Sequence, residues 1–261
     1  MTRIREYMLK AVREAKAKTS WANQNENYEN SVTTFVNCVL GSREFCDDFA
    51  AFHGKISHFG MLNSLAQTLI KLAVPGVPDM YQGSELWEFN LVDPDNRRPV
   101  DYETRGNLLK EFKSLCDQGC DQLAAFAKKL AENMSDGRCK LYLIWKMLNL
   151  RKQRADLFQQ GEYLPLQASG SRERHLFSFA RRHGRQTLII AVPRLCAELL
   201  GSDSLLPHGE GIWLDTRITV PDGERHFRSV LTGEKVVATD DGALLGKNLF
   251  QNSPVAALLS E

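Results

Sequence analysis

The amino-acid sequence predicts an α+β protein with a mainly helical first half and an all-β second half of the sandwich type. Two observations predict this class. As far as residue 155, apolar residues recur every three or four positions, which is the period of an amphipathic helix. Beyond residue 156 they alternate with polar residues, which is the period of a strand. We therefore expect a helical region at 1–155 and an all-β domain at 156–261.

The first region is predicted to consist of successive helices. The helix at Phe59–Ala73 is apolar on nearly all sides, so it must be buried on most of its faces. The predicted helices are Arg3–Lys18, Glu26–Leu40, Ser42–Phe52, Phe59–Ala73, Tyr102–Cys116, Asp121–Asn133 and Gly137–Ala155.

The chain leaves the helical pattern at 74–78, where two prolines and a glycine occur. These residues exclude helix and restart the chain in an extended form, so we expect a short strand at Asp79–Gln82. Further short strands are predicted after residue 156, with a tight turn at Thr232 and Gly233. These strands are His175–Arg181, Thr187–Val192, Ile212–Val220, His226–Leu231, Glu234–Ala238 and Val255–Leu259.

The composition excludes several classes of protein. Of the 261 residues, 43% are hydrophobic and 25% are charged, which is typical of globular proteins and not of disordered or fibrous ones. The 33 basic and 32 acidic residues give a net charge of +1, too small to attract a polyanion, so nucleic acid is not an expected partner. The sequence contains neither a secretory signal nor an apolar run long enough for a bilayer, and we predict a cytoplasmic protein without a membrane partner.

The six cysteines do not predict a metal site. They form no CxxC pair, and no histidine stands near them at the spacing of a metal ligand. Cys116 and Cys120 could share a helix face, but two thiols alone rarely bind zinc. We expect reduced cysteines, no metal and no cofactor.

The densest polar segment, 93–101, follows an aromatic and acidic segment at 81–87. Carboxylates, amides, guanidinium groups and flat aromatic rings are the groups with which proteins hold sugars, through paired hydrogen bonds and through stacking. Two acids beside two arginines also make an ordinary structural ion-pair network. The composition alone favours neither interpretation.

Several segments of the sequence resemble those of a known protein family. Residues 75–85 look like the last barrel strand and following loop of enzymes of the α-amylase superfamily, glycoside hydrolase family 13. Their continuation through 86–102 is similar, nearly residue for residue, to the maltooligosyltrehalose synthases, and the resemblance extends over essentially the whole chain. The other segments that carry it are 7–11, 14–16, 19–21, 60–69, 179–184 and 192–195.

The resemblance implies a particular reaction. Such enzymes move the reducing-end α-1,4 linkage of a maltooligosaccharide to an α,α-1,1 linkage, which gives a trehalose end. They resemble retaining glycosidases, which use two carboxylates about 5–5.5 Å apart. None of the acidic residues of this chain stands in the motifs that mark those carboxylates, so we assign no catalytic residue.

The resemblance also implies a position for the sugar. Loops at the carboxyl ends of barrel strands build the active site, so the loop after Tyr81 is expected to bind substrate. The ion-pair alternative applies to Asp93, Asp95, Arg97 and Arg98, whereas Trp21 could instead be a core residue. The candidate substrate-binding residues are Tyr81, Gln82, Glu85, Asp93, Asp95, Asn96, Arg97, Arg98, Trp21, Asn23 and Asn25.

Two functional hypotheses follow from the resemblance. In the first, the chain is the C-terminal portion of a synthase, with one (β/α)8-barrel-type strand and an amylase-type all-β domain, and is inactive alone. In the second, it is a non-catalytic module that binds maltooligosaccharide or another protein. A single barrel strand cannot close a barrel, so the expected partners include the rest of the synthase barrel or a second copy of the chain.

Overall fold

A run of helices is followed by two β-sheets in the computed structural model, which describes residues 1–116, 120–201, 206–220 and 224–261. The predicted α+β class is therefore confirmed. The helices of the first part are α1 (Thr2–Ala15), α2 (Glu26–Gly41), α3 (Arg43–Ala73), α4 (Tyr102–Cys116), α5 (Cys120–Glu132), α6 (Arg138–Gln153) and α7 (Ala155–Gln159).

The two helices predicted at Ser42–Phe52 and Phe59–Ala73 are one helix, α3, of 31 residues. The two predicted helices left residues 53–58 unassigned, and this stretch contains Gly54, a poor helix former. Nucleation is the costly step of helix formation, and it is already complete in both flanking segments, so the helix continues through Gly54 and Gly60.

The strand predicted at Asp79–Gln82 is absent from the structure. The chain there runs into a turn, in which Ser84 donates its backbone N–H to the carbonyl of Tyr81 at 3.1 Å. A strand is defined by its ladder to a neighbour, and none of the strands within the described ranges pairs with this segment.

Within the described residues, the larger sheet has six strands, in the order β1-β3-β4-β9-β6-β7, and every pairing in it is antiparallel. The smaller sheet has three, in the order β2-β5-β8. The strands are β1 (Glu162–Leu166), β2 (Ala168–Ser169), β3 (Leu176–His183), β4 (Gln186–Pro193), β5 (Arg217–Thr219), β6 (His226–Ser229), β7 (Lys235–Val237), β8 (Ala243–Leu245) and β9 (Ala256–Ser260).

One predicted strand, Ile212–Val220, is only partly a strand. It overlaps a short helix, α9 (Glu210–Trp213), and only Arg217–Thr219 pairs in a sheet. Trp213 is fully buried there, and its ring stacks on Phe250 with centroids 4.7 Å apart. The helical turn therefore places the tryptophan in the core. The other short helices of this part are α8 (Cys196–Leu200) and α10 (Gly246–Leu249).

The described chain forms two compact units. The first consists of Met1–Ser57 with Phe89–Val100, and the second of His58–Glu88 with Asp101–Glu261. The division predicted at residue 156 follows the change in secondary structure and stays a prediction. In the second unit, the apolar half of α3 is buried as its pattern requires, with Leu62, Leu65, Leu69 and Leu72 at most 2% exposed.

No helix within the described residues is both long and apolar enough to cross a bilayer.

Candidate functional site

The loop that carries most candidate residues lies on α1 in the first unit. Arg3 holds it from the helix: its Nε donates to Oδ1 of Asp95 at 2.8 Å, and its Nη2 donates to Oδ2 at 2.7 Å and to the carbonyl of Phe89 at 2.7 Å. Lys10, two turns further along α1, donates to the carbonyl of Asp93 at 2.5 Å. Two basic side chains of one helix face thus position the loop.

The loop is also held by pairs within itself. Arg97 Nε lies 2.6 Å from Oδ1 of Asp93, and Arg98 Nε lies 3.3 Å from Oδ1 of Asp95. Arg98 donates in addition to the side chain of Asn90 at 2.6 Å. The ion pairs of the structural alternative are therefore present, and the arginines still expose half or more of their side chains, 72% for Arg97 and 50% for Arg98.

The central carboxylate of this network is held ionised. The hydrogen bonds from Arg3, together with the backbone N–H of Leu91, lower the pKa of Asp95 from 3.8 to about 2. A carboxyl group with so low a pKa carries no proton near neutrality, so it cannot serve as a general acid. Its role in this loop is electrostatic.

A cleft of about 270 Å³ opens between α1 and the loop, lined among others by Tyr7, Lys10 and Asp93. It offers a phenol, an ammonium group and a carboxylate at one place. Elsewhere in the loop, the side-chain oxygen of Asn96 is buried without a hydrogen-bond partner among the described residues. An unpaired buried amide oxygen is costly unless a donor reaches it, which is a property expected of a binding loop.

Trp21, Asn23 and Asn25 lie together before α2, in the same unit. Trp21 is 54% exposed, so it is not a core residue, and the guanidinium of Arg13 lies 5.0 Å from its ring centroid. Asn25 caps α2 by accepting the N–H of Tyr28 at 3.1 Å. The ring of Trp21 is therefore open to contact with a ligand. The side-chain oxygen of Asn25 is already used as the helix cap.

Arg13 also holds the segment before α2 through Glu29. It donates two hydrogen bonds to that carboxylate, at 3.0 and 2.6 Å, and Thr19 donates a third at 2.6 Å. These bonds lower the pKa of Glu29 from 4.5 to about 2. The exposed ring of Trp21 thus stands beside a fixed, ionised pair.

The remaining candidates, Tyr81, Gln82 and Glu85, lie in the second unit. Arg105 of α4 pairs with Glu85 at 3.1 Å and donates to the carbonyl of Gly83 at 2.7 Å. Tyr102 donates its hydroxyl hydrogen to the Gln82 amide oxygen at 3.5 Å, and Tyr81 is 56% exposed. The structure therefore groups these three residues with α4.

Sequence reasoning missed the basic residues that hold these segments, namely Arg3, Lys10, Arg13 and Arg105. Each contacts its acceptor from a distant position in the chain, such as 92 residues for Arg3 and Asp95. The basic residues of α1 follow no regular interval, so no local pattern marked them. In the parts that the structure describes, no cluster of three or more metal-ligating side chains was found.

Comparison with known proteins identifies relatives of the whole chain. No protein-family model matches. A protein of Mycobacterium tuberculosis H37Rv named "Putative maltooligosyl trehalose synthase" is 31% identical over 259 residues, which is 99% of this chain and 28% of that protein. This chain thus spans less than a third of the length of this relative.

Solved structures agree with the sequence match. The maltooligosyltrehalose synthase of Arthrobacter ramosus matches with a TM-score of 0.78 at 31% identity, over 100% of this chain and 30% of that one. A hypothetical maltooligosyl trehalose synthase of Sulfolobus tokodaii matches with a TM-score of 0.64 at 26% identity, over 99% of this chain and 29% of that one. The chain is therefore homologous over its whole length to a C-terminal portion of the maltooligosyltrehalose synthases.

Proposed function

We propose that this chain acts as the C-terminal portion of a maltooligosyltrehalose synthase, an isomerase of trehalose biosynthesis in the cytoplasm. The substrate is a maltooligosaccharide, whose reducing-end α-1,4 linkage becomes an α,α-1,1 linkage. The observation that carries the proposal is the agreement of sequence and fold over the whole chain with one family of enzymes.

In this proposal the chain binds substrate and does not perform the acid–base chemistry. The acids of the candidate loop are paired with arginines: Asp93 with Arg97, and Asp95 with Arg3. Carboxylates paired with arginines in this way accept hydrogen bonds from sugar hydroxyls, and Asp95, with its lowered pKa, does not protonate a leaving group. We assign the nucleophile and the general acid to the part of the enzyme that this chain does not span.

The architecture of the whole enzyme is also part of the proposal. We assign the segment Asp79–Gln82 to the place of the last strand of an amylase-type (β/α)8 barrel, and the two sheets to an amylase-type sandwich. None of the described strands pairs with that segment, which supports the first assignment, because a strand of a closed barrel needs a neighbour on each side. The neighbours would come from the rest of the synthase.

A chimeric enzyme tests the proposal directly. The matching segment of the Arthrobacter ramosus synthase is replaced by this chain, and the loss of reducing ends from maltohexaose is followed. We expect a non-reducing product from the chimera, and none from this chain alone because it supplies no acid pair. A folded chimera without activity, or activity of the chain alone, would contradict the proposal.

The same chimera tests the loop. Arg97→Ala removes one exposed hydrogen-bond donor, so we expect the KM for maltohexaose to rise about tenfold, the equivalent of about 1.4 kcal/mol. Arg43→Ala is the matched control, because Arg43 is 94% exposed in an i,i+4 pair with Asp47. Equal KM values for the two variants would rule out Arg97 as a substrate contact.

A non-catalytic binding module remains the second candidate function. The observation that favours it is the exposed aromatic face of α3, on which Phe49 is 51% and Phe52 is 60% exposed. Such a face is typical of a surface that contacts protein. The chimera separates the two candidates, because a module that serves another protein would not restore synthase activity.

A further inference from the structure

A groove of about 320 Å³ lies in the second unit between α3 and the ends of β3 and β4. Its apolar lining includes Pro193, which is buried, and Ile70 and Phe177, which are half-buried. Its polar lining consists of exposed side chains: Asn63 and Gln67 from α3, and Arg194 after β4. The groove thus combines an apolar floor with a polar rim.

The two amides of the rim stand on one helix face. Asn63 and Gln67 are four residues apart, so their side chains neighbour each other across one helical turn. Neither side chain makes a hydrogen bond to the described parts of the chain, and the same holds for the guanidinium of Arg194. On the α3 side, the rim therefore offers amide groups that can both donate and accept hydrogen bonds. On the β4 side, it offers the guanidinium of Arg194, which only donates.

The backbone of Arg194 is held in place by a buried histidine. Its backbone N–H donates to the carbonyl of His175 at 2.8 Å, and its own carbonyl lies 3.3 Å from Nδ1 of the same histidine. His175 is only 3% exposed. These contacts hold the backbone of Arg194 and so fix the point from which its side chain extends.

We propose that this groove is a second binding site for an α-1,4-linked glucan. A glucose ring has one apolar face of C–H groups and a rim of hydroxyls, which matches the floor at Phe177 and Pro193 and the rim at Gln67 and Arg194. The choice of an α-1,4 glucan among saccharides rests on the proposed function. The groove shares no residue with the loop at 89–100.

NMR spectroscopy of the full chain with maltohexaose as probe tests the proposal at the residues themselves. We expect the side-chain amide signals of Asn63 and Gln67 to shift in a saturable way, and the signal of Gln122, an exposed amide on α5, to stay in place. Amide signals of Asn63 and Gln67 that do not move up to about 10 mM maltohexaose would overturn the proposal, since weaker binding has little specificity.

Two substitutions separate this groove from the loop. Gln67→Ala and Arg194→Ala alter exposed side chains, so both variants should fold, and each should weaken the Kd measured at the Asn63 signal at least about fivefold. Gln122→Ala should leave that Kd unchanged, and so should Arg97→Ala in the loop. A Kd insensitive to both groove substitutions would overturn the site, whatever the activity of the chimera. Equal shifts with cellohexaose would overturn its α-1,4 specificity.

Discussion

Single carboxylates in this protein are positioned by arginines that come from distant parts of the sequence. Asp95 receives two hydrogen bonds from Arg3, and Glu29 receives two from Arg13. Both pairs join α1 to segments outside it, so each carboxylate stabilises the fold around the candidate loop while it is ionised. The same bonds that lower the pKa of these groups therefore tie stability to pH.

The pH dependence of the Asp95 pair can be predicted with its sign. Because the pKa falls from 3.8 to about 2 on folding, the pair stabilises the protein fully above pH 3.8 and loses this contribution as the pH falls towards 2. We expect Asp95→Asn to lower the melting temperature at pH 7, and the difference from wild type to close below pH 3.8.

Circular-dichroism melts across this pH range provide the measurement. Asp48→Asn on the exposed side of α3 is the control, and its melting temperature should follow wild type at every pH. A difference between Asp95→Asn and wild type that persists undiminished at pH 2.5, within the interval from 3.8 to about 2, would contradict the assigned ion pair.

At the scale of elements, the end of α3 is capped by two arginines. The last carbonyls of a helix have no partner within it. Arg151 of α6 donates to the carbonyl of Leu72 at 2.8 Å, and Arg181 of β3 donates to that of Ala73 at 3.0 Å. Arg181 also donates to the carbonyls of Phe158 and Gly161, so it connects α3, the end of α7 and β3.

Removal of the Arg181 guanidinium should therefore be costly. Arg181 is 1% exposed, and Arg181→Met would leave three carbonyls without this donor. We expect the free energy of unfolding to fall by at least about 2 kcal/mol in urea denaturation. Arg182→Met is the control: Arg182 points to the other face of β3 and pairs with Glu162 at 3.7 Å, so its loss should cost under about 1 kcal/mol. Equal losses of unfolding free energy in Arg181→Met and Arg182→Met would contradict the capping role of Arg181.

At the scale of the whole molecule, the two halves of α3 differ. The first half exposes its apolar side chains to solvent, whereas the second half buries them in the core. Phe45, Phe49, Phe52 and Ile56 are 43%, 51%, 60% and 50% exposed. They recur at intervals of three and four, so they form one face, and Phe45 stacks on Phe49 with centroids 5.9 Å apart. Contiguous apolar surface of this kind promotes association.

The purified chain should therefore self-associate. We expect light scattering to show a mass that rises with concentration, and Phe49→Lys with Phe52→Lys to shift the chain towards the 29.5 kDa monomer. Val237→Lys is the control, because this side chain is 51% exposed on β7 without such a face. A chain that is strictly monomeric without substitution would contradict the prediction.

Local pattern was sufficient for most elements of the fold. Tyr102–Cys116 was predicted with the observed bounds, and the run at 187–192 lies within β4. β1 was missed because Pro165 and a mixed pattern disguise a strand that lies at the edge of its sheet, next to β3, among the described strands. The candidate loop was found from its polar residues, whereas the residues that hold it were not.

The sequence by itself determined the α+β class, most of the longer helices and strands, and the kinship with one enzyme family, because these depend on period and on the order of residues along the chain. Only the tertiary structure decided that α3 is continuous, that 79–82 forms no strand, and that Arg3 and Arg181 hold the loop and the helix end. Ladders and ion pairs depend on which distant residues meet in space, and nothing in the neighbouring sequence specifies that partner.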